Sequence, residues 1–162
     1  MPYALLALVL VILDQVVKYL VLTYIPLGGY VPFLPHIVCL TYVQNTGAAF
    51  SMFSQHTWIL ALISLIMSVV LAVALWKNFF TNPLGKVTLA LLLAGAVGNL
   101  IDRTLRGFVV DMFQLLFMNF AVFNVADICV VVGGIAAAAY YLLLADKLEH
   151  KEAPHGTADA DR

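Results

Sequence analysis

Four apolar stretches in this chain are each long enough to cross a bilayer core of ~30 Å, which takes about 20 helical residues. They run from about Tyr3 to Leu22, from Trp58 to Trp76, from about Leu84 to Ile101 and from about Phe123 to Ala145. The second holds no charged residue, and Trp58 and Trp76 bracket it as interfacial aromatics do. The first stretch differs from a cleaved secretory signal. It lacks a basic start, and Asp14, Gln15 and Lys18 interrupt its apolar run; it is read as a retained helix. Between the first two spans, Ile25 to Pro35 is rich in Pro and Gly, and His36 to Val43 is β-branched and aromatic. That pattern predicts one or two short strands. Open strand edges are not tolerated in hydrocarbon, so the segment is placed at the outer interface. Residues 1–145 then form a single membrane-embedded domain, and the polar run 146–162 is expected to be a disordered cytoplasmic tail.

Composition supports the bilayer assignment. Hydrophobic residues make up 64% of the 162 residues and charged residues 10%, against roughly 45–50% and ~25% in soluble proteins. The mean hydropathy is +1.01. A soluble chain this small would need far more polar side chains to cover its surface. The formal charge of −1 excludes a nucleic-acid footprint. Cys39 and Cys129 give neither a disulfide framework nor ligand spacing. The four histidines lie in outer or tail segments without metal-like spacing, so no metal is expected. Basic residues set the orientation. Lys77 and Lys86 lie between spans two and three, and Lys147, Lys151 and Arg162 lie in the tail, whereas 25–57 has no Lys or Arg and the segment between spans three and four has only Arg103 and Arg106. Both termini are therefore expected in the cytoplasm.

The informative residues are the ionisable ones in or beside the spans, since each costs at least ~2.5–3.5 kcal/mol at a helix centre without a partner. With this orientation they gather toward the outer leaflet: Asp14 and Lys18 in span one, Asn99 and Asp102 at the end of span three, Asn124 and Asp127 at the start of span four, and Asp111 between those two spans. Asp14 and Lys18 are i,i+4 and can pair. Gly95, Asn99 and Asp102 fall on one stripe, with a small residue that permits close helix approach. Asn124 and Asp127 are i,i+3 and share a face. Asp102 is followed by Arg103, which makes a structural ion pair as reasonable as chemistry. Asp111 and Asp127 have no basic residue at i±3 or i±4.

Two carboxylates close together in a poorly solvated site do not both ionise easily, so one pKa rises and the pair shares a proton. Such a pair supplies a base to activate water and an acid for a leaving group. It equally suits proton-coupled transport, although four spans without a repeat make a thin scaffold for alternating access. No Ser or Cys stands beside a His base, which leaves a nucleophilic triad unsupported. Spacing does not choose between Asp102 and Asp111 as the partner of Asp127.

Over nearly its full length the chain resembles the lipoprotein signal peptidases (signal peptidase II), membrane aspartic peptidases of bacteria. Asp14-Gln15-Val16-Val17-Lys18 is similar to the family's DQxxK, and Asn45-Thr46-Gly47-Ala48-Ala49-Phe50 to its NxGxAF. The run Gly95 to Arg103 resembles GGxxGNxxDR, with Ala96 at the second glycine. Val109-Val110-Asp111 resembles VVDF, with Met112 for the aromatic, and Phe123 to Asp127 resembles FNxAD. The resemblance implies an all-α integral membrane protein of four transmembrane helices with a small extracytoplasmic β-rich cradle from the Ile25–Val43 region. It implies a catalytic dyad of Asp111 and Asp127. Asp14, Lys18, Asn45, Gly47, Asn99, Asp102, Arg103 and Asn124 would bind substrate or support the dyad. The implied substrate is a prolipoprotein carrying a diacylglyceryl-cysteine, cut just before that cysteine by a monomer among membrane lipids, with no cofactor needed.

Overall fold

The computed structural model describes residues 2–47 and 57–152. In chain order the elements are α1 (Pro2–Tyr24), β1 (Tyr30–Leu34), β2 (Val38–Asn45), α2 (Thr57–Trp76), α3 (Pro83–Leu105), β3 (Val109–Leu115) and α4 (Val125–Glu152). All four expected spans are helices long and apolar enough to cross a membrane. Local chemistry sets their ends. Asn82 caps α3 by accepting from Leu84 N at 2.8 Å, and Pro83 follows at the first helical position, where its missing N–H costs nothing. Helix α4 runs to Glu152, so residues 146–152 of the expected tail continue the helix; 153–162 lie outside the described residues.

Helix α3 is the hub of the bundle and packs against α1, α2 and α4. Lipid tails are as apolar as leucine, so helices in a bilayer associate through close packing and polar contacts rather than hydrophobic burial. The small residues of α3 meet that need. Ala90 and Ala94 pack with Ala7 of α1. A Cβ on Gly95 would lie 2.5 Å from Ala126 O, and one on Gly98 would lie 2.6 Å from Asp14 Oδ2. Helix α2, by contrast, buries only Leu60, Ser68 and Leu71. Its other leucines, isoleucines and valines largely face outward, as lipid contact requires.

The three strands form one antiparallel sheet in the order β1-β2-β3. The Ile25–Val43 region supplies β1 and most of β2, as expected. The third strand, Val109–Leu115, lies between spans three and four, where the sequence pattern predicts none. It pairs with β2 in the register Val43↔Asp111 and Asn45↔Val109. A core of Val21, Ile25, Tyr42, Val110 and Met112 ties the end of α1 to the sheet. Met112 is fully buried there. An unbranched side chain fills such a gap readily, which fits its place where the family pattern has an aromatic.

Candidate active site

Asp111 and Asp127 reach one site from different elements, and the backbone explains how. Phe123 forms a bridge to Phe113, with Phe113 N and Phe123 N each donating to the other's carbonyl at 2.8 and 3.1 Å. The start of α4 is thereby pinned beside β3. Asn124 then acts as the helix cap: its Oδ1 accepts from Asp127 N at 2.9 Å, and Asp127 Oδ2 accepts from Asn124 N at 3.2 Å. This reciprocal pair is a capping box with aspartate at the third helical position. Asp127 thus sits in the first turn of α4. Asn124 lies just outside the helix and uses its side chain as a bridge rather than sharing a helical face.

Neutral amides hold both carboxylates. Asp111 accepts from Asn45 Nδ2 at 2.9 Å and from Asn124 Nδ2 at 2.7 Å. Asp127 Oδ1 accepts from Asn99 Nδ2 at 2.8 Å. Gly47 N donates to Asn45 Oδ1 at 2.9 Å, which turns the Asn45 amino group toward Asp111. Ala48, Ala49 and Phe50 lie outside the described residues.

A second cluster lies one layer away, and it is ionic. Lys18, fully buried, spends all three ammonium donors: Asp14 Oδ2 at 2.9 Å, Asp102 Oδ2 at 3.0 Å and Asn99 Oδ1 at 3.1 Å. Asp14 Oδ1 accepts from Ala126 N at 2.9 Å, an otherwise orphan donor in the first turn of α4. Asp102 is saturated by Lys18, Arg106 Nη1, Gln15 Nε2 and Val110 N. Its ion-pair partners are therefore Lys18 and Arg106. The adjacent Arg103 instead donates to Ser64 Oγ of α2 at 3.2 Å. Helical geometry gives the reason: neighbours in sequence point apart, whereas Arg106 at i+4 shares a face with Asp102.

Asn45, Asn99, Arg103, Asp111 and Asp127 all line one cavity of about 500 Å³, whose remaining wall is apolar residues of α4 and of the 120–123 segment. Asp102 does not line it. Burial pushes the Asp111 carboxyl up from 3.8 to about 6, and the charge of Asp127 adds to the rise. The amide donors Asn45 and Asn124, and Lys18 further off, pull it partly back. Among the described residues no salt bridge involves Asp111 or Asp127. A buried carboxyl beside a second carboxylate, in a cavity open to a ligand, is suited to exchanging a proton with whatever enters.

Every candidate residue from the sequence falls in one of these two clusters or between them. The sequence reading missed three participants. Gln15, inside a motif already quoted, bonds Asp102 and accepts from Arg106. Arg106 was legible from its i+4 spacing to Asp102. Ser64, one of two serines in an otherwise apolar helix, carried no usable signal.

A family model described as signal peptidase (SPase) II matches residues 6–143. The chain is 44% identical over 155 residues to the lipoprotein signal peptidase of Enterococcus faecalis, covering 96% of this chain and 95% of that one. It is 46% identical over 136 residues to the lipoprotein signal peptidase of Streptococcus pneumoniae, covering 80% and 85%. Among solved structures, a bacterial membrane enzyme determined by the in meso method superposes with a TM-score of 0.79 at 34% identity, covering 87% of this chain and 92% of that one. A second superposes with the same score at 30% identity, covering 98% and 94%. Motifs, fold and relatives agree: this chain belongs to the signal peptidase II family.

Proposed function

We propose that this protein removes the signal peptide from prolipoproteins by hydrolysing the bond just before a diacylglyceryl-modified cysteine, with Asp111 and Asp127 as the catalytic dyad. The observation that carries the reading is the meeting of these two carboxylates, held among the described residues by amides alone, on one cavity. The pair holds one proton, assigned to Asp111 on account of its raised pKa. The ionised member takes a proton from water as the water oxygen bonds to the scissile carbonyl carbon. Asp111 gives its proton to the carbonyl oxygen. As the tetrahedral intermediate collapses, one of its hydroxyls returns a proton to Asp111, the other aspartate gives the proton it took from water to the departing nitrogen, and the carbon–nitrogen bond breaks, leaving a carboxyl product, a free amine and the pair singly protonated again. Asn45, Asn99 and Asn124 orient the dyad, Gly47 orients Asn45, and Arg103 faces the substrate from the cavity wall. Asp14, Lys18 and Asp102 hold the helices that carry them. All of these residues come from one chain, so a monomer suffices.

The site opens toward the outer face of the bacterial membrane, with both termini cytoplasmic, as the basic residues at 77–86 and in the tail direct. A cysteine at Asn82, in a background lacking Cys39 and Cys129, should resist membrane-impermeant thiol reagents in intact cells. Labelling there would overturn the orientation. The diacylglyceryl group buries many CH₂ units at ~0.8 kcal/mol each and fixes the cysteine at a set depth. That positioning lowers the barrier for an otherwise mobile peptide. The test is incubation of the purified protein with modified and unmodified prolipoprotein in the same micelles, read by gel shift. Modified precursor should be cut and unmodified precursor left largely intact. Equal rates would remove the lipid requirement, and no cleavage of either would remove the peptidase reading.

A further inference from the structure

Asp111 borders two cavities. The first is the one it shares with Asp127, which runs along Ile128, Val130, Val131 and Val132 of α4. The second, of about 390 Å³, is lined by Val43, Gln44, Asn45, Thr46, Asp111 and Asn119 together with 120–122. The 120–122 segment lines both, as do Asn45 and Asp111. Apart from Asp111 the second cavity has no charge, but it carries two amides and a hydroxyl that the first lacks: Gln44, Asn119 and Thr46. Gln44 is steadied by a 2.7 Å bond to Tyr42 Oη. Its strand, β2, also carries Asn45, the residue that holds Asp111.

A lipidated precursor has two chemically different parts that meet at the lipidated cysteine, one residue from the scissile bond. The signal helix and the acyl chains are apolar and match the first cavity. The polypeptide beyond the cysteine is polar and must leave toward water. Each of its peptide units brings an N–H and a C=O that need partners wherever water is excluded. Amide side chains offer both a donor and an acceptor, so they suit a backbone of any sequence. We propose that the second cavity is the subsite for the residues that follow the lipidated cysteine, with Gln44 and Asn119 binding their main chain. The proposal rests on the peptidase reading. It makes 120–122 a wall shared by the membrane-side and water-side halves of the substrate, and it predicts little preference for the side chains bound beyond the cysteine.

The test compares two synthetic diacylglyceryl lipopeptides, one ending at the cysteine amide and one extended past it by several residues. Two backbone hydrogen bonds at ~1 kcal/mol each should favour the extended substrate in kcat/KM by about thirtyfold in the wild type. Asn119→Trp fills the cavity and should bring that ratio to about one, and Asn119→Ala should lower it about fivefold. Melting in detergent checks that both variants fold. A ratio retained in both variants, or no preference in the wild type, overturns the subsite. Cleavage of neither lipopeptide by the wild type overturns the peptidase reading itself, and the subsite with it.

Discussion

Two groups of aspartates lie within one layer of each other, and they are treated in opposite ways. In the α1–α3 cluster, Asp14 and Asp102 face the cations Lys18 and Arg106, two charges against two, and the oxygens of both are committed to donors. In the cavity, Asp111 and Asp127 receive only amide hydrogen bonds among the described residues. An ionic cluster of the first kind locks a geometry, because removing any member leaves another charge buried alone. A pair of the second kind keeps proton affinity in reserve. The contrast separates a carboxylate that holds the fold from one able to do chemistry, even though Asp111 is as deeply buried as Asp14 and Asp102.

The sharpest way to break this comparison is to neutralise each kind in turn. Asp111→Asn and Asp127→Asn should each lower cleavage of modified precursor by about 10²–10⁴-fold, the usual range for losing a general acid or base, with an unchanged melting profile. Wild-type turnover in either variant would end the dyad assignment. Asp102→Asn should do the reverse. It strips a charge from a buried network, costing about 3–5 kcal/mol, so accumulation and melting temperature fall while folded molecules retain activity. A stable but inactive Asp102→Asn would move Asp102 into the dyad.

The boundary between the clusters can be strained without changing any charge. Gly98→Ala places a Cβ 2.6 Å from Asp14 Oδ2 and 3.1 Å from Ala126 Cβ, where α1, α3 and α4 meet. Overpacking there should cost about 1–3 kcal/mol, read as a lower melting temperature in detergent. An unchanged melting temperature would show that the junction has room to spare.

The smallest effect is on pH dependence. Asp111 titrates near 6, raised by burial and by Asp127. If it carries the shared proton, activity is highest below that value and falls as pH rises through it. Asn45 donates to the ionised form and so lowers this pKa. Asn45→Ala should therefore move the alkaline limb of the rate profile to higher pH, by less than about one unit for a single neutral hydrogen bond. A limb moving to lower pH would contradict the assignment of the proton to Asp111.

By itself the sequence determined the four spans, the gathering of polar residues at one depth and the local pairs. Hydrophobic length and i,i+3 or i,i+4 spacing are written directly along a chain. Asp14–Lys18 was legible for that reason, and Asp102–Arg106 could have been. Composition and spacing did not reveal which aspartate partners Asp127; only the family resemblance pointed to Asp111. The tertiary structure separates Asp111 from Asp102 through contacts far apart in sequence. Residues 109–115 become a strand only when β2 lies alongside, which sets Asn45 against Asp111 across 66 positions. The Phe113–Phe123 bridge then carries the cap of α4 to the same place. A strand's hydrogen-bond partners lie on another segment, so neither its existence nor its register is fixed by its own residues, whereas a helix satisfies its backbone from within.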